Sequence, residues 1–335
     1  MKGVPVKIII SLYMITRKRR GENLMLERLR VVENNLLPLV LVTTFIALFL
    51  PKIGEVLKVT VSPMLALLMF FISLTFDFNM LRDAIKKPRV IVISIFLVFV
   101  PMSLIGLGIG ELFFDEELAI GQTIVGSLPT DVSAPLLVYL GKGNVALASL
   151  MNGIVTGLSP FILPPLLLLL TGIEFQIPIQ EMILELFIII VLPMFFAVLI
   201  RTKFPSISKY EPVYSFSSSL IYIALVFVVV ADSSESILSF SMGMIILLIV
   251  AQLLLNMAGY LIGLLTKPIV KNKDDLVAVL FTVSKKEFSI AAAIVYTADL
   301  PEIILIPAVF YAVLQMITSP LVVRLLNRKN TLVEG

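Results

Sequence analysis

The run Thr282-Val283-Ser284-Lys285-Lys286-Glu287-Phe288-Ser289 sets three consecutive ionisable residues inside an apolar segment that extends from near Leu276 to about Tyr296. Lys285 lies nine residues past Leu276, roughly 14 Å at helical rise, close to the middle of a bilayer. Each Lys or Asp at that depth costs about 2.5–3.5 kcal/mol on insertion scales. A span with that load has to face protein or water rather than lipid. The earlier run Leu128-Pro129-Thr130-Asp131-Val132-Ser133-Ala134-Pro135 interrupts another apolar segment in the same manner. Two interrupted spans, one in each half of the chain, point to a transporter binding site.

Composition fixes the solvent. The 335 residues are 59% hydrophobic and 15% charged, with a mean hydropathy of +1.07. A soluble domain of this size cannot hide so much apolar surface, so the lipid bilayer is the expected partner. The net charge of +3 gives no reason to expect nucleic acid. With Cys 0 and His 0, disulfides, thiolate metal sites and imidazole bases are excluded. No nucleophile–base pair or metal-ligand set is evident, so the chain does not read as an enzyme and no cofactor is expected.

Residues 1–35 precede the first span and read as a cytoplasmic tail. Val6 to Ile15 is apolar but too short to cross. Its positive charge follows it, at Arg17-Lys18-Arg19-Arg20, instead of preceding it as in a secretory signal. The tail reads either as an amphipathic segment or as the product of an early start codon, with Met25 the true start. Ten spans follow at about 36–51, 59–77, 90–113, 118–140, 145–171, 182–200, 213–231, 239–265, 276–297 and 302–323. Of the 26 Lys and Arg, 22 fall in the tails and in alternate connections on one side, against Lys52 and Lys58 on the other. The positive-inside rule then puts both termini in the cytoplasm of a plasma or inner membrane. Outer loops carry Glu116-Glu117, Glu174, Asp232 and Glu235, and the mixed-charge 77–89 loop reads as a solvated cytoplasmic connector.

Ten spans divide into five and five, and an odd number per half makes the second half enter the membrane in the opposite sense. The expected fold is an all-α polytopic membrane protein built from inverted five-helix repeats, 36–172 and 173–325, with a C-terminal tail at 326–335. The interrupted spans are the fourth of each half. In the first, Pro129 and Pro135 lack an N–H and clash with the preceding turn, so the helix should open between them. The freed backbone groups must then line a protein-walled cavity, joined by the oxygens of Thr130, Asp131 and Ser133. The alternative is a kinked helix with Asp131 buried against a cation. The ninth span has no proline. If it stays helical, Thr282, Lys286 and Ser289 share one face and Lys285 and Glu287 point aside; the plain alternative is that Lys285 and Glu287 only hold neighbouring helices in register. Asn152, Thr156 and Ser159 form a polar stripe on the fifth span, and Gln252 with Asn256 another on the eighth. Each stripe suits either cavity lining or interhelical hydrogen bonding. Glycines and serines at 103–110 read as close helix packing.

Several stretches resemble the bile acid:sodium symporter family, which adjoins arsenite-efflux carriers. Leu65 to Thr75 with Lys87-Pro88 resembles its second span and following loop. Tyr139-Leu140-Gly141-Lys142-Gly143-Asn144-Val145-Ala146-Leu147 resembles the link after its broken fourth span, and Ile290-Ala291-Ala292-Ala293-Ile294 matches the small-residue run of its ninth. The similarity covers roughly residues 60–325. It implies ten helices in a panel and a core domain, broken helices four and nine crossing where they unwind, and secondary transport of organic anions, usually driven by sodium. Departures fall on the implied sodium sites: Val98 stands where the family has Gln, Ala134-Pro135 where it has Ser-Asn, and Ala148 and Asn152 where it has Ser and Thr. Alignment of the small-residue run puts Thr282 at the family's central Glu and Lys286 at its Gln.

These residues lead to a secondary transporter of a small organic anion, with a site drawn from Pro129, Thr130, Asp131, Ser133, Pro135, Asn152, Thr156, Thr282, Ser284, Lys285, Lys286, Glu287 and Ser289. The Lys286 ammonium is expected to take the place of a sodium ion and to balance Asp131 or Glu287. That leaves proton coupling, exchange or uniport as modes, with H+ or Na+ the candidate coupling ions. A receptor that keeps the fold without turnover is the second class. An arsenite carrier fits less well, because such carriers typically place a Cys in the broken fourth span.

Overall fold

The computed structural model describes residues 35–76, 82, 85–172 and 178–331. Residues 1–34 of the expected N-terminal tail, with Val6–Ile15 and Met25, lie outside the described residues, as do Asp77, Glu174 and the last four residues. Every regular element among the described residues is helical.

The helices are α1 (Leu36–Ala47), α2 (Pro51–Ser73), α3 (Pro88–Phe113), α4 (Glu116–Ser127), α5 (Ala134–Leu140), α6 (Val145–Thr171) and α7 (Ile179–Lys203), followed by α8 (Glu211–Asp232), α9 (Ser234–Ser239), α10 (Met242–Leu265), α11 (Lys273–Ser284), α12 (Phe288–Thr297) and α13 (Ile306–Thr331). Seven of these elements, in some cases with a flanking 3-10 turn, are long and apolar enough to cross a bilayer among the described residues. The three expected spans outside that set are short or interrupted. The first is the 12-residue α1. The fourth is α4 and α5 with an irregular segment between them, and the ninth is α11 and α12 with three non-helical residues between.

Local chemistry explains the boundaries. Pro101 breaks the hydrogen-bond ladder of α3 at Val100. Pro193 cannot donate and crowds the carbonyl four residues back, and α7 widens there into a π turn over Phe187–Val191. Asn144, Ser241 and Asn272 cap α6, α10 and α11 by accepting from backbone N–H groups. Gly172 ends α6 in the left-handed conformation at φ 63°.

Small residues bring two helix pairs into backbone contact. A Cβ on Gly106 would stand 2.9 Å from Gly126 Cα, and one on Gly110 2.7 Å from the Ala119 carbonyl, so α3 lies directly on α4. Gly259 and Gly263 repeat this spacing on α10, against Ser284 Cα at 2.7 Å and Leu280 Cα at 2.8 Å of α11. The close packing expected at 103–110 is thus present, with a counterpart on α10. Elsewhere α8 packs along α1 and α2, and α7 against α2.

The two ends of the bundle differ. At the end bearing the basic connections, Lys87 donates to both oxygens of buried Asp275 at 2.7 and 2.6 Å, and Asn144 donates to the same carboxylate at 2.7 Å. Lys87 is therefore a structural clamp, contrary to the solvated connector expected of its loop. At the opposite end Lys58 pairs with Glu302 at 3.0 Å, and Tyr296 donates to Asp232 at 2.7 Å. Gly54 abuts the backbone of Asp232 there, closing α2 against α8.

Candidate functional site

The irregular segment after α4 and the three residues after α11 meet at the centre of the molecule. Glu287 N donates to the Pro129 carbonyl at 3.0 Å and Asp131 N to the Lys285 carbonyl at 3.4 Å, so the two breaks pair backbone to backbone. Thr130 Oγ1 reaches back to the Thr282 carbonyl at 2.7 Å. Backbone groups that a continuous helix would satisfy internally are thus satisfied by the other break.

Helices on either side complete the accounting. Asn152 of α6 donates to the Asp131 carbonyl at 3.1 Å, while Thr156 donates to Asn152 and holds its amide. Asn256 of α10 and Tyr311 of α13 both donate to the Ser284 carbonyl, at 3.0 and 2.6 Å. Gln315 of α13 takes three bonds at once. Its Nε2 donates to the Lys286 carbonyl at 2.9 Å and to Asp131 Oδ2 at 3.2 Å, and its Oε1 accepts from Lys286 N at 3.0 Å. Gln315 and Tyr311 fall outside the residues expected from sequence. The available signal was a lone glutamine in an apolar run, three residues before Thr318-Ser319.

Asp131, Lys285, Lys286 and Glu287 are all fully buried. Two positive and two negative side chains share the crossing, but no carboxylate lies within ion-pair distance of either ammonium among the described residues. Glu287 instead accepts from Val132 N at 3.1 Å and from Ser289 Oγ at 2.5 Å. Asp131 accepts from the backbone and the hydroxyl of Ser133. Lys286 Nζ donates to the carbonyls of Leu128 at 2.9 Å and Val98 at 3.3 Å. The ninth span is interrupted, as expected, and the break at Lys285–Glu287 removes the face that Thr282, Lys286 and Ser289 would share on a continuous helix, because the charged residues leave the helix where their backbone finds partners across the crossing. The Lys286 ammonium, expected to balance Asp131 or Glu287, is bonded to neither and is held by carbonyl oxygens at the end of α4 and at the Pro101 kink of α3. Lys285 Nζ has a long contact of 3.5 Å to the Gln315 carbonyl.

The hydroxyls of Thr282 and Ser284 are buried without a hydrogen-bond partner among the described residues. Of the polar stripes, Asn152 and Asn256 serve the breaks directly, whereas Gln252 donates to Gln122 at 2.5 Å and ties α10 to α4. Pro135 opens α5 and, with Val132 and Ser133, forms part of the wall of a cavity of about 470 Å³. That cavity lies between α1, α2, α7 and α8 on one side and α5, α6 and Met316 of α13 on the other.

Apolar membrane-crossing helices around a buried meeting of two broken helices that carries four ionisable side chains define a polytopic integral membrane protein of the carrier type. Residues 34–328 match the SBF-like CPA transporter family, and the chain belongs to that family of transporters. The resemblance read at residues 65–75, 139–147 and 290–294 thus holds at family level. Two Bacillus subtilis (strain 168) proteins are similar over most of their length. "Uncharacterized protein YbaS" is 28% identical over 272 residues, 78% of this chain and 87% of that protein. "Uncharacterized sodium-dependent transporter YocS" is 24% identical over 252 residues, 74% of this chain and 77% of that protein.

Proposed function

We propose that the protein is a secondary transporter of a small organic anion that works by alternating access and carries its cation as part of the chain. The observation behind this reading is the Lys286 ammonium between the carbonyls of Leu128 and Val98. A sodium ion needs a shell of oxygens, and Lys286 brings donors of the chain's own to carbonyls that would otherwise belong to such a shell. Val98, Ala134 and Ala148 supply no side-chain oxygen nearby. Uniport, exchange and proton coupling are the modes consistent with this arrangement.

The architecture under this reading is ten helices in inverted repeats, 36–172 and 173–325. Three correspondences support it: the broken helices are fourth in each half, Gly106/Gly110 matches Gly259/Gly263, and an amide from the fifth helix of each half caps a break, Asn152 in one and Gln315 in the other. Helices α1, α2, α7 and α8 form the panel and the rest the core, with the cavity between them. The cavity opens toward the basic connections, the cytoplasmic side of a plasma or inner membrane under the positive-inside rule.

Melting of the purified protein against small organic anions, in sodium and in potassium buffer, tests the reading. A ligand at 100 times its Kd adds about 2.7 kcal/mol to the folded state. Equal stabilisation in both salts, followed by uptake of the same acid into proteoliposomes without sodium, is the expected result. Binding without uptake would make the protein a receptor. The name of the relative YocS, a sodium-dependent transporter, favours a second reading, coupling to sodium at a rearranged site, and an anion response that requires sodium would establish it.

A further inference from the structure

The cavity has chemistry that the crossing does not use. Arg201, in the last turn of α7, lines it with one guanidinium nitrogen buried and without a hydrogen-bond partner among the described residues. Its basic neighbours behave differently: Lys203 lies over the Phe204 ring at 5.8 Å and Lys209 over Tyr210 at 4.8 Å, as surface cations at an interface do. Glu211, which also lines the cavity, is exposed at the start of α8 and not within ion-pair distance of Arg201. Inward from it, Ser215, Ser218, Ser219 and Tyr222 follow the i, i+3, i+4, i+7 spacing of one helical face, and all four line the cavity. Tyr222 is 3% exposed, and its hydroxyl has no partner among the described residues. From Glu211 to Tyr222 is eleven residues, about 16 Å along the helix. Beside this face, on the same side of the cavity, α2 contributes the apolar Leu68 and Ile72.

An unpaired guanidinium at the mouth and an unpaired phenol at the depth of the break are two fixed polar points in a space of ligand size. We propose that Arg201 anchors the acid group of the substrate, and that the α8 hydroxyl face selects an acid bearing hydroxyl groups along its length. The inference rests on the organic-anion reading and adds to it the anchoring residue and the polarity of the substrate body. A guanidinium suits this role because its planar donors match both oxygens of a carboxylate.

The test is the melting temperature of the full-length protein and of Arg201→Gln and Arg201→Lys, titrated with gluconate, hexanoate and glucose. Gluconate should stabilise the wild type most, hexanoate less, and glucose not at all. Arg201→Gln should raise the apparent Kd for gluconate at least tenfold, and Arg201→Lys by less. Tyr222→Phe should narrow the preference for gluconate over hexanoate and leave hexanoate unchanged. If Arg201→Gln aggregates, Arg201→Lys together with gluconate protection of Arg201 from phenylglyoxal decides the point. Equal gluconate affinity in all variants, or unprotected Arg201, overturns this assignment and leaves the organic-anion reading standing. A wild type stabilised by neither acid, or equally by glucose, overturns this assignment, and failure of every small organic anion in the wider titration overturns both.

Discussion

Gln315 shows how much of the site depends on a neutral side chain. It satisfies the N–H and carbonyl of Lys286 and one oxygen of Asp131. Gln315→Leu keeps similar bulk and leaves all three buried groups unpaired, at about 1–3 kcal/mol each. The melting midpoint should fall on the order of 5 °C or more, and an unchanged midpoint would show that the crossing closes without it. Lys286→Gln removes an ammonium from two carbonyls and leaves the four-charge cluster with an excess negative charge. Transport should drop at least tenfold or acquire a sodium requirement; wild-type kinetics in both salts would refute the role given to Lys286. Sequence exposed the charged residues themselves, because ionisable groups at mid-bilayer depth demand an account. It did not expose their partners. Lys286 binds main-chain carbonyls, and no residue type announces a carbonyl.

At the scale of elements, proline made the first break readable: Pro129 and Pro135 bracket the residues that leave the helix. The second break has no such mark, and its position follows from pairing with the first, a tertiary cause. The helix pairs that carry the breaks depend on glycine. Gly259→Val would drive a side chain into Ser284 backbone at 2.7 Å. Overpacking of this kind costs about 1–3 kcal/mol, and should shorten the half-life of transport activity in detergent severalfold. Gly108 provides the control. It lies on the same helix as Gly106 and Gly110, yet a Cβ there meets nothing within 4 Å. Gly108→Ala should leave the half-life unchanged or lengthen it. Equal behaviour of the two variants would count against backbone contact as the basis of packing. The hydroxyl face of α8 was not singled out from sequence, since serines in a membrane helix as often bond their own backbone, as Ser218 does to Ser215.

For the whole molecule, one end is closed and the other holds the cavity. The closed end rests on Lys58–Glu302, with both side chains more than a third exposed, and on the half-buried Tyr296–Asp232 bond, whose carboxylate is buried. The exposed pair contributes at most about 1 kcal/mol, whereas a hydrogen bond to a charged group contributes about 1.5–3 kcal/mol. Tyr296→Phe should therefore shift the population away from this state far more than Lys58→Met. The chain has Cys 0, so Ser149→Cys in the cavity wall reports on the state without background. The ratio of labelled to protected molecules at that cysteine under brief maleimide exposure should fall about tenfold or more with Tyr296→Phe and at most about fivefold with Lys58→Met. The reverse order would place the lock elsewhere. Under the proposed organic-anion function, Lys286 also bears on direction. Its ammonium is bonded to the chain and stays behind when the substrate leaves. An organic anion that crosses without a companion cation moves one net negative charge. A cell interior at −100 mV opposes its entry by about 2.3 kcal/mol, roughly fiftyfold in concentration. The same voltage drives its exit, so a carrier with its cation built in is suited by electrical work to send the acid out.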